Sequence, residues 1–351
     1  MYINRSLLLL ISNRGIKCNH KISVFSSTWI APKEQEIKKS VTVALIGNAN
    51  SGKSTLINAM TGFQICAASL KPHTTRDYQR VFHVRDDTQI ILLDTPGIIS
   101  PRGKEKLKLK DIQDVSDIFP VKKAEVMGIL VDAACKYTAN EIGSNVMSFL
   151  RSLPQTTKFV LLLNKVDLLK DKSKLLKIVK KLTSKPISDN QAEKMNFSRI
   201  FMISALHNDG VDSFIEYLCS IAERKSFVKP VNRLSDHSDQ KIVEQRVKAG
   251  LLQYFNDEVP YVCSCKLEYM QENSLGVKQI VILIMCPTER YKRIINGKPE
   301  ILNKIQEECE ADMSQLFGRG VNLRMEAVLE GKQSISVEIY YQLNYDLTPG
   351  P

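Results

Sequence analysis

Residues Gly47 to Ser54 read GNANSGKS and match the pattern GxxxxGK[ST]. An aliphatic and β-branched run, VTVALI, precedes them and a helical segment, STLINAM, follows, which is the order a phosphate-cradling loop requires. The glycines let successive backbone N–H groups turn inward around phosphate oxygens, and the following helix aims its positive end at them. Lys53 adds a compact positive charge at the β- and γ-phosphates, and Ser54 offers a hydroxyl to Mg²⁺. The residues expected to line the phosphates are Gly47, Asn48, Ala49, Asn50, Ser51, Gly52, Lys53, Ser54 and Thr55.

Three later segments carry chemistry that belongs with such a loop. IILLDTPG ends an apolar strand at Asp94, a carboxylate able to hold Mg²⁺ through water, and reaches Gly97, whose N–H can meet a γ-phosphate. FVLLLNKVD ends another strand at Asn164, Lys165 and Asp167. A carboxylate at Asp167 can accept two hydrogen bonds from guanine N1 and N2, a pair of donors that adenine does not present. RIFMISAL brings Ser204, Ala205 and Leu206, where a backbone N–H can meet guanine O6. Each segment alone could be a strand end with solvated charges. In this order they specify a guanine nucleotide.

The elements that must position these residues follow from hydrophobic patterning. Strands are expected near 41–47, 80–85, 89–94, 125–132, 158–164 and 199–204, with helices after most of them. This is the α/β pattern of a doubly wound, mostly parallel sheet, whose ligand sits beyond the carboxyl ends of the strands. A polar stretch, KPVNRLSDHSDQ, interrupts the alternation and reads as a linker. Beyond it a helix, two strand-like runs, the turn Asn296 to Pro299, a helix to about 317 and a last strand, VNLRMEAVLE, make a smaller α+β unit.

These motifs resemble the translation-factor-related GTPases, and among them the Era type: GNANSGKSTLIN resembles that family's phosphate loop with Ala49 in place of Pro, KPHTTRD its first switch and DTPGI its second. The resemblance implies GTP and GDP as ligands, Mg²⁺ held by Ser54, Thr75 and Asp94, and a catalytic set of Lys53, Thr75, Gly97 and Asn50. Thr74 is the alternative to Thr75. In related GTPases an Asn at the Asn50 position helps hold a potassium ion; a turn-forming residue is the plainer reading. Ile98 stands where a Ras-like enzyme has a water-orienting Gln, so slow intrinsic turnover is expected.

EVPYVCSCKLEYM resembles the Era family's entry into a KH-like domain, which clamps single-stranded RNA by a GxxG turn between two helices. Here that turn reads Asn296, Gly297, Lys298, Pro299, so both expected glycines are replaced. Arg290, Lys292, Arg293 and Lys298 cluster beside it as candidate RNA contacts, with a solvated basic helix end as the alternative. The resemblance implies binding to small-subunit rRNA and a part in assembly of the small ribosomal subunit. The alternative function is a GTP-regulated protein-docking module whose KH-like domain has lost RNA binding.

Composition narrows the setting. Net charge is +11, but residues 226–351 hold 15 Lys and Arg against 17 Asp and Glu, so the excess lies in the first two thirds. The first 33 residues contain five basic residues, several Ser and no acid before Glu34, the composition of a mitochondrial presequence; a disordered basic tail is the alternative. A matrix location is expected. Eight Cys without CxxC or zinc-ligand spacing read as reduced thiols. No apolar run approaches the roughly 18 residues of a span, so no integral membrane association is expected. The expected domains are a presequence over 1–35, a GTPase domain over 41–225, a linker over 226–237, a KH-like domain over 238–332 and a tail over 333–351.

Overall fold

The computed structural model describes residues 38–68, 78–96, 119–135, 142, 144–184, 196–225, 233–255 and 258–331. The expected presequence, Thr74, Thr75, Gly97, Ile98, residues 226–232 and the tail from 333 lie outside the described residues.

Six strands form the first sheet: β1 Lys39–Gly47, β2 Gln79–Arg85, β3 Thr88–Asp94, β4 Val126–Asp132, β5 Lys158–Asn164 and β6 Phe197–Met202. Their order is β2-β3-β1-β4-β5-β6, and every neighbouring pair is parallel except β2 with β3. All residues of β3 are buried, as a strand covered on both faces demands. The helices on these faces are α1 Lys53–Thr61, α2 Phe119–Lys122, α3 Ser144–Arg151, α4 Ser173–Thr183 and α5 Val211–Ile221. Ala44 and Ile46 of β1 join one core with Phe149 of α3 and Ile178 of α4, while Val43 and Leu45 join the other with Ile57 of α1 and Phe214 of α5. Chain order reverses direction at β1, so a crevice opens at the carboxyl ends beside it. The motifs stand there.

A second, three-stranded sheet is built from β7 Ser264–Glu272, β8 Lys278–Cys286 and β9 Val321–Leu329, in the order β7-β8-β9. The hairpin makes β7 and β8 antiparallel, whereas the two helices between β8 and β9 make that pair parallel. These helices are α8 Glu289–Asn296 and α9 Pro299–Phe317, preceded in the chain by α6 Asp239–Tyr254 and the short α7 Val259–Val262. Val247, Leu251, Ile282, Ile305, Met313 and Leu323 share one buried core. Gly250 lets α6 approach α9, since a Cβ there would meet Ile305 Cγ2 at 2.6 Å. Gly250→Val is therefore expected to overpack this core and destabilise it by about 2 kcal/mol, read as a lower urea midpoint.

The segment between the two sheets is not slack over 233–238. Ser235 pairs antiparallel with Val81 of the edge strand β2, and Phe82 N donates to Leu234 O at 2.8 Å. Gln79 Nε2 donates to Ser235 Oγ at 2.7 Å, and Arg80 Nε meets Asp236 Oδ2 at 2.9 Å. The added pairing covers an edge that would otherwise expose unpaired backbone groups. Farther along, Gln315 Nε2 of α9 donates to Gly62 O at 3.1 Å, so the second unit touches the end of α1.

Candidate functional site: a phosphate and base crevice

The phosphate loop leaves β1 at Gly47 and enters α1 at Lys53. Sequence dictates its path through three positions. A Cβ at Gly47 would lie 2.4 Å from Leu130 O, so only glycine lets β1 run this close to β4. Asn50 adopts φ 61 and Gly52 φ 97, left-handed conformations that suit Asn and Gly. The chain thereby doubles back, with Ser51 N donating to Asn48 O at 3.2 Å. No acidic residue stands in the first turn of α1 to compete for its positive end.

Lys53 is 6% exposed, and its Nζ donates to Gly47 O at 3.2 Å and Asn48 O at 3.1 Å. Burial lowers its pKa to about 8, with Asp94 opposing the shift. An anion within the loop would restore the favourable field this ammonium lacks. Ser54 Oγ donates to Asp94 Oδ2 at 2.8 Å, so two elements 40 residues apart deliver a hydroxyl and a carboxylate to one point. Hard oxygen donors of this kind suit Mg²⁺, which takes few protein ligands and completes its shell with phosphate and water. Ser51 Oγ and Ser204 Oγ are buried without a hydrogen-bond partner among the described residues, polar atoms that a phosphate or a base could satisfy.

The base side is tied to the phosphate side by one buried amide. Asn164 Nδ2 donates to Ser51 O at 2.8 Å, and Asn164 Oδ1 accepts from Ala205 N at 3.0 Å. Asn164 thus fixes the loop after β1 against the loop after β6. Lys165 takes φ 62, which directs the chain into a short 3₁₀ turn, Val166–Leu168, carrying Asp167. Lys165 Nζ pairs with Asp132 Oδ2 at 2.7 Å, and His207 Nε2 lies 3.7 Å from Asp167 Oδ2. Ser204 exchanges both backbone hydrogen bonds with Asp209 at 3.0 Å, holding the following residues as a tight loop. Leu206 is 76% exposed at its tip.

Asn48, Ala49, Asn50, Ser51, Gly52, Lys53, Ser54, Thr55, Asp94, Asn164, Lys165, Asp167, Ser204, Ala205 and Leu206 all lie at or just beyond the carboxyl ends of the strands, with Gly47 ending β1. Thr75 and Gly97 lie outside the described residues. Sequence reasoning passed over Asp132, whose place at the end of β4 shows only once β4 is set beside β5. It also passed over Thr95, whose Oγ1 donates to Leu45 O at 2.6 Å, and Asn58, whose Oδ1 accepts from Ile65 N and Cys66 N at 3.1 and 2.9 Å. A buried amide inside STLINAM is the signal for Asn58.

The candidate RNA turn is tighter than the four-residue turn its sequence suggested. Asn296 ends α8 and Pro299 begins α9, leaving Gly297 and Lys298 as the connection. Gly297 has φ −72 and Lys298 φ −129, so the turn makes no use of the left-handed region. Pro299 fits because its missing N–H falls at the first helical position. Arg290 and Arg293 are exposed and three residues apart, hence on one face of α8. Lys292 is half-buried and lies about 200° around the helix from Arg290. Lys298 is exposed, with Nζ 5.8 Å from the centroid of Phe255. On α8, Lys292 therefore faces away from Arg290 and Arg293, and Lys298 lies beyond the helix end.

The profile of the family described as 50S ribosome-binding GTPase matches residues 42–165. The chain is similar to the GTPase Era of Ruminiclostridium cellulolyticum, at 33% identity over 82% of this chain and 91% of that protein. It is also similar to the mitochondrial GTPase Era of Danio rerio, at 28% identity over 89% of this chain and 82% of that one. Among solved structures, Era in complex with MgGDPNP and nucleotides 1506–1542 of 16S ribosomal RNA superposes with a TM-score of 0.65 at 22% identity, covering 84% of this chain and 94% of that one. With the same two-sheet fold and a relative matched over nearly its whole length, the chain belongs to the Era family of GTPases.

Proposed function

We propose that this GTPase binds small-subunit rRNA through its C-terminal domain and acts in small ribosomal subunit assembly in the mitochondrial matrix, with GTP binding and hydrolysis controlling the engagement. The observation that carries the nucleotide half is the Asn164 bridge between Ser51 and Ala205, which makes the phosphate loop and the base loop one rigid unit. The RNA half is supported by the second sheet with its paired helices and by the relatives' names, one mitochondrial and one seen with 16S rRNA. Residues 1–35 serve as presequence, 41–225 as GTPase domain, 226–237 as linker, 238–332 as KH-like domain and 333–351 as tail.

In this reading Lys53 and the N–H groups of residues 47–55 hold the β- and γ-phosphates, and Ser54, Asp94 and Thr75 hold Mg²⁺. When bound, Mg²⁺ held by these residues would supply positive charge against the phosphates. Asp167 selects guanine, while Ser204, Ala205 and Leu206 border the base. Asn164 positions both loops, and Lys165, paired with Asp132, keeps the Asp167 turn in place. With Ile98 unable to orient water, the burden falls on Gly97 and on charge compensation near Asn50. GTP hydrolysis is therefore expected to run faster in KCl than in NaCl at equal ionic strength, and Asn50→Ala to erase the difference. Equal rates in both salts for the unaltered protein remove Asn50 from the mechanism.

On the RNA side, Arg293→Ala and Lys298→Ala are each expected to weaken single-stranded RNA binding and to reduce its salt slope by about one charge. Gly at both 296 and 299 is expected to tighten binding, because one backbone donor returns beside the phosphates. The reading as a whole is tested by sequencing RNA crosslinked to the full chain in its GTP and GDP states. Enriched small-subunit rRNA that differs between the states supports it. Protein partners without RNA establish the docking-module alternative.

A further inference from the structure

We infer that Cys263 and Cys286 form a peroxide-modifiable dithiol, a covalent latch that joins the entrance of β7 to the end of β8 in the C-terminal domain. Two observations carry it. The register of the hairpin pairs Ser264 with Met285, which brings Cys263, the residue that caps α7 just before β7, beside Cys286, the last residue of β8. Their sulfurs are already 3.9 Å apart. A disulfide needs the sulfurs to close from 3.9 Å to about 2.05 Å with the two Cα atoms within about 7 Å of each other.

The two thiols are chemically unequal. The Cys286 sulfur beside it, with Lys248, holds the Cys263 thiol below its ordinary pKa against the cost of burial. The Cys263 sulfur and burial push Cys286 up. Lys248 Nζ also donates to Cys263 O, which keeps the ammonium next to the more acidic sulfur. The ammonium held at Cys263 O favours a thiolate there, so Cys263 attacks and Cys286 resolves. Cys263 sulfur attacks a peroxide oxygen, breaking the O–O bond and leaving a sulfenic acid and hydroxide, which is protonated to water. Cys286 sulfur then attacks the sulfenic sulfur and expels a second water. Two thiols and one hydrogen peroxide give one disulfide and two waters.

Both cysteines are buried, at 1% and 0% exposure, and β7 is an edge strand, so access comes when that edge opens. Cys265 is a poorer partner: burial pushes its thiol up to about 12, and residues two apart on a strand are held too far apart to bridge without distortion. Cys286 lies three residues before α8 and accepts from Glu330 N at 2.9 Å, so the latch would secure the lead-in to the helix bearing Arg290 and Arg293.

The test is mass mapping of the reduced full chain after treatment with hydrogen peroxide, alkylation under denaturing conditions and digestion at Lys and Arg. The expected result is a cross-linked pair of peptides, one ending at Lys266 and one holding Cys286, lost on reduction, with fragmentation at Ser264 assigning the bridge to Cys263 and not Cys265. In Cys286→Ala the expected product is a dimedone-trapped sulfenic acid on Cys263. Full alkylation of Cys263 and Cys286 in the peroxide-treated wild-type chain, or a bridge from either to Cys265 or Cys309, overturns the inference even if the variant does not fold.

Discussion

Gly52→Ala is expected to lower GTP and GDP affinity by at least about 10², with the remaining fold intact by circular dichroism. The added Cβ would sit 2.2 Å from Asn164 Nδ2, and alanine would have to adopt φ 97. Two costs combine: left-handed strain of about 1 kcal/mol or more, and displacement of the amide that joins Ser51 O to Ala205 N. The second is the larger for function, because it releases the phosphate loop and the base loop together. Gly62→Ala supplies the control. Gly62 also has a left-handed φ, 75, yet a Cβ there meets nothing within 4 Å among the described residues. It should lose about 1 kcal/mol of stability and keep its nucleotide affinity. Equal affinity for Gly52→Ala and the unaltered protein in a fluorescent-nucleotide titration would show that Asn164 is not the element holding the site together.

The second large effect concerns the base. Asp167→Asn is expected to cost about 3 kcal/mol of GTP affinity, roughly 10² in the dissociation constant, from two hydrogen bonds at about 1.5 kcal/mol each. The same substitution should improve xanthosine triphosphate, because an amide can donate to the oxygen that replaces the guanine amino group. Asp167 sits on a turn held by Val166, Lys165 and Asp132, so a change of one carboxylate to an amide keeps the shape and alters the donor pattern. His207, 3.7 Å from the Asp167 carboxylate, is 62% exposed and contributes little to that geometry. A titration with both nucleotides decides: unchanged discrimination would move guanine recognition elsewhere.

Much of the nucleotide site was legible because its residues are short-range consequences of a strand ending. The runs VTVALI, IILLD and FVLLLN are apolar enough to be buried on both faces, and the polar residues that follow each one can only emerge at the same edge of a parallel sheet. The pairing of Ser54 with Asp94 follows once β1 and β3 are adjacent. What could not be read were contacts set by tertiary closure. Nothing in the sequence says that Asn164 spans from Ser51 to Ala205, or that Asp132 pairs with Lys165, since each link needs the order of strands β1, β4, β5 and β6. The stretch around Ser235 has linker composition, yet Gln79 and Arg80 draw it onto the edge of β2 through side chains 156 residues away. The turn at Asn296 to Pro299 was misjudged in length for a local reason. Pro299 is compatible with a turn and with a first helical position, and the apolar spacing beyond it chose the helix.

The most direct test of a guanine-specific hydrolase is phosphate release from GTP and from ATP by one preparation of the full chain with Mg²⁺ and KCl. The crevice predicts slow, saturable release from GTP, no release from ATP above background, and transfer of the activity toward xanthosine triphosphate in Asp167→Asn. Release from ATP at a rate equal to GTP, unaffected by Asp167→Asn, would contradict the assignment of the base site.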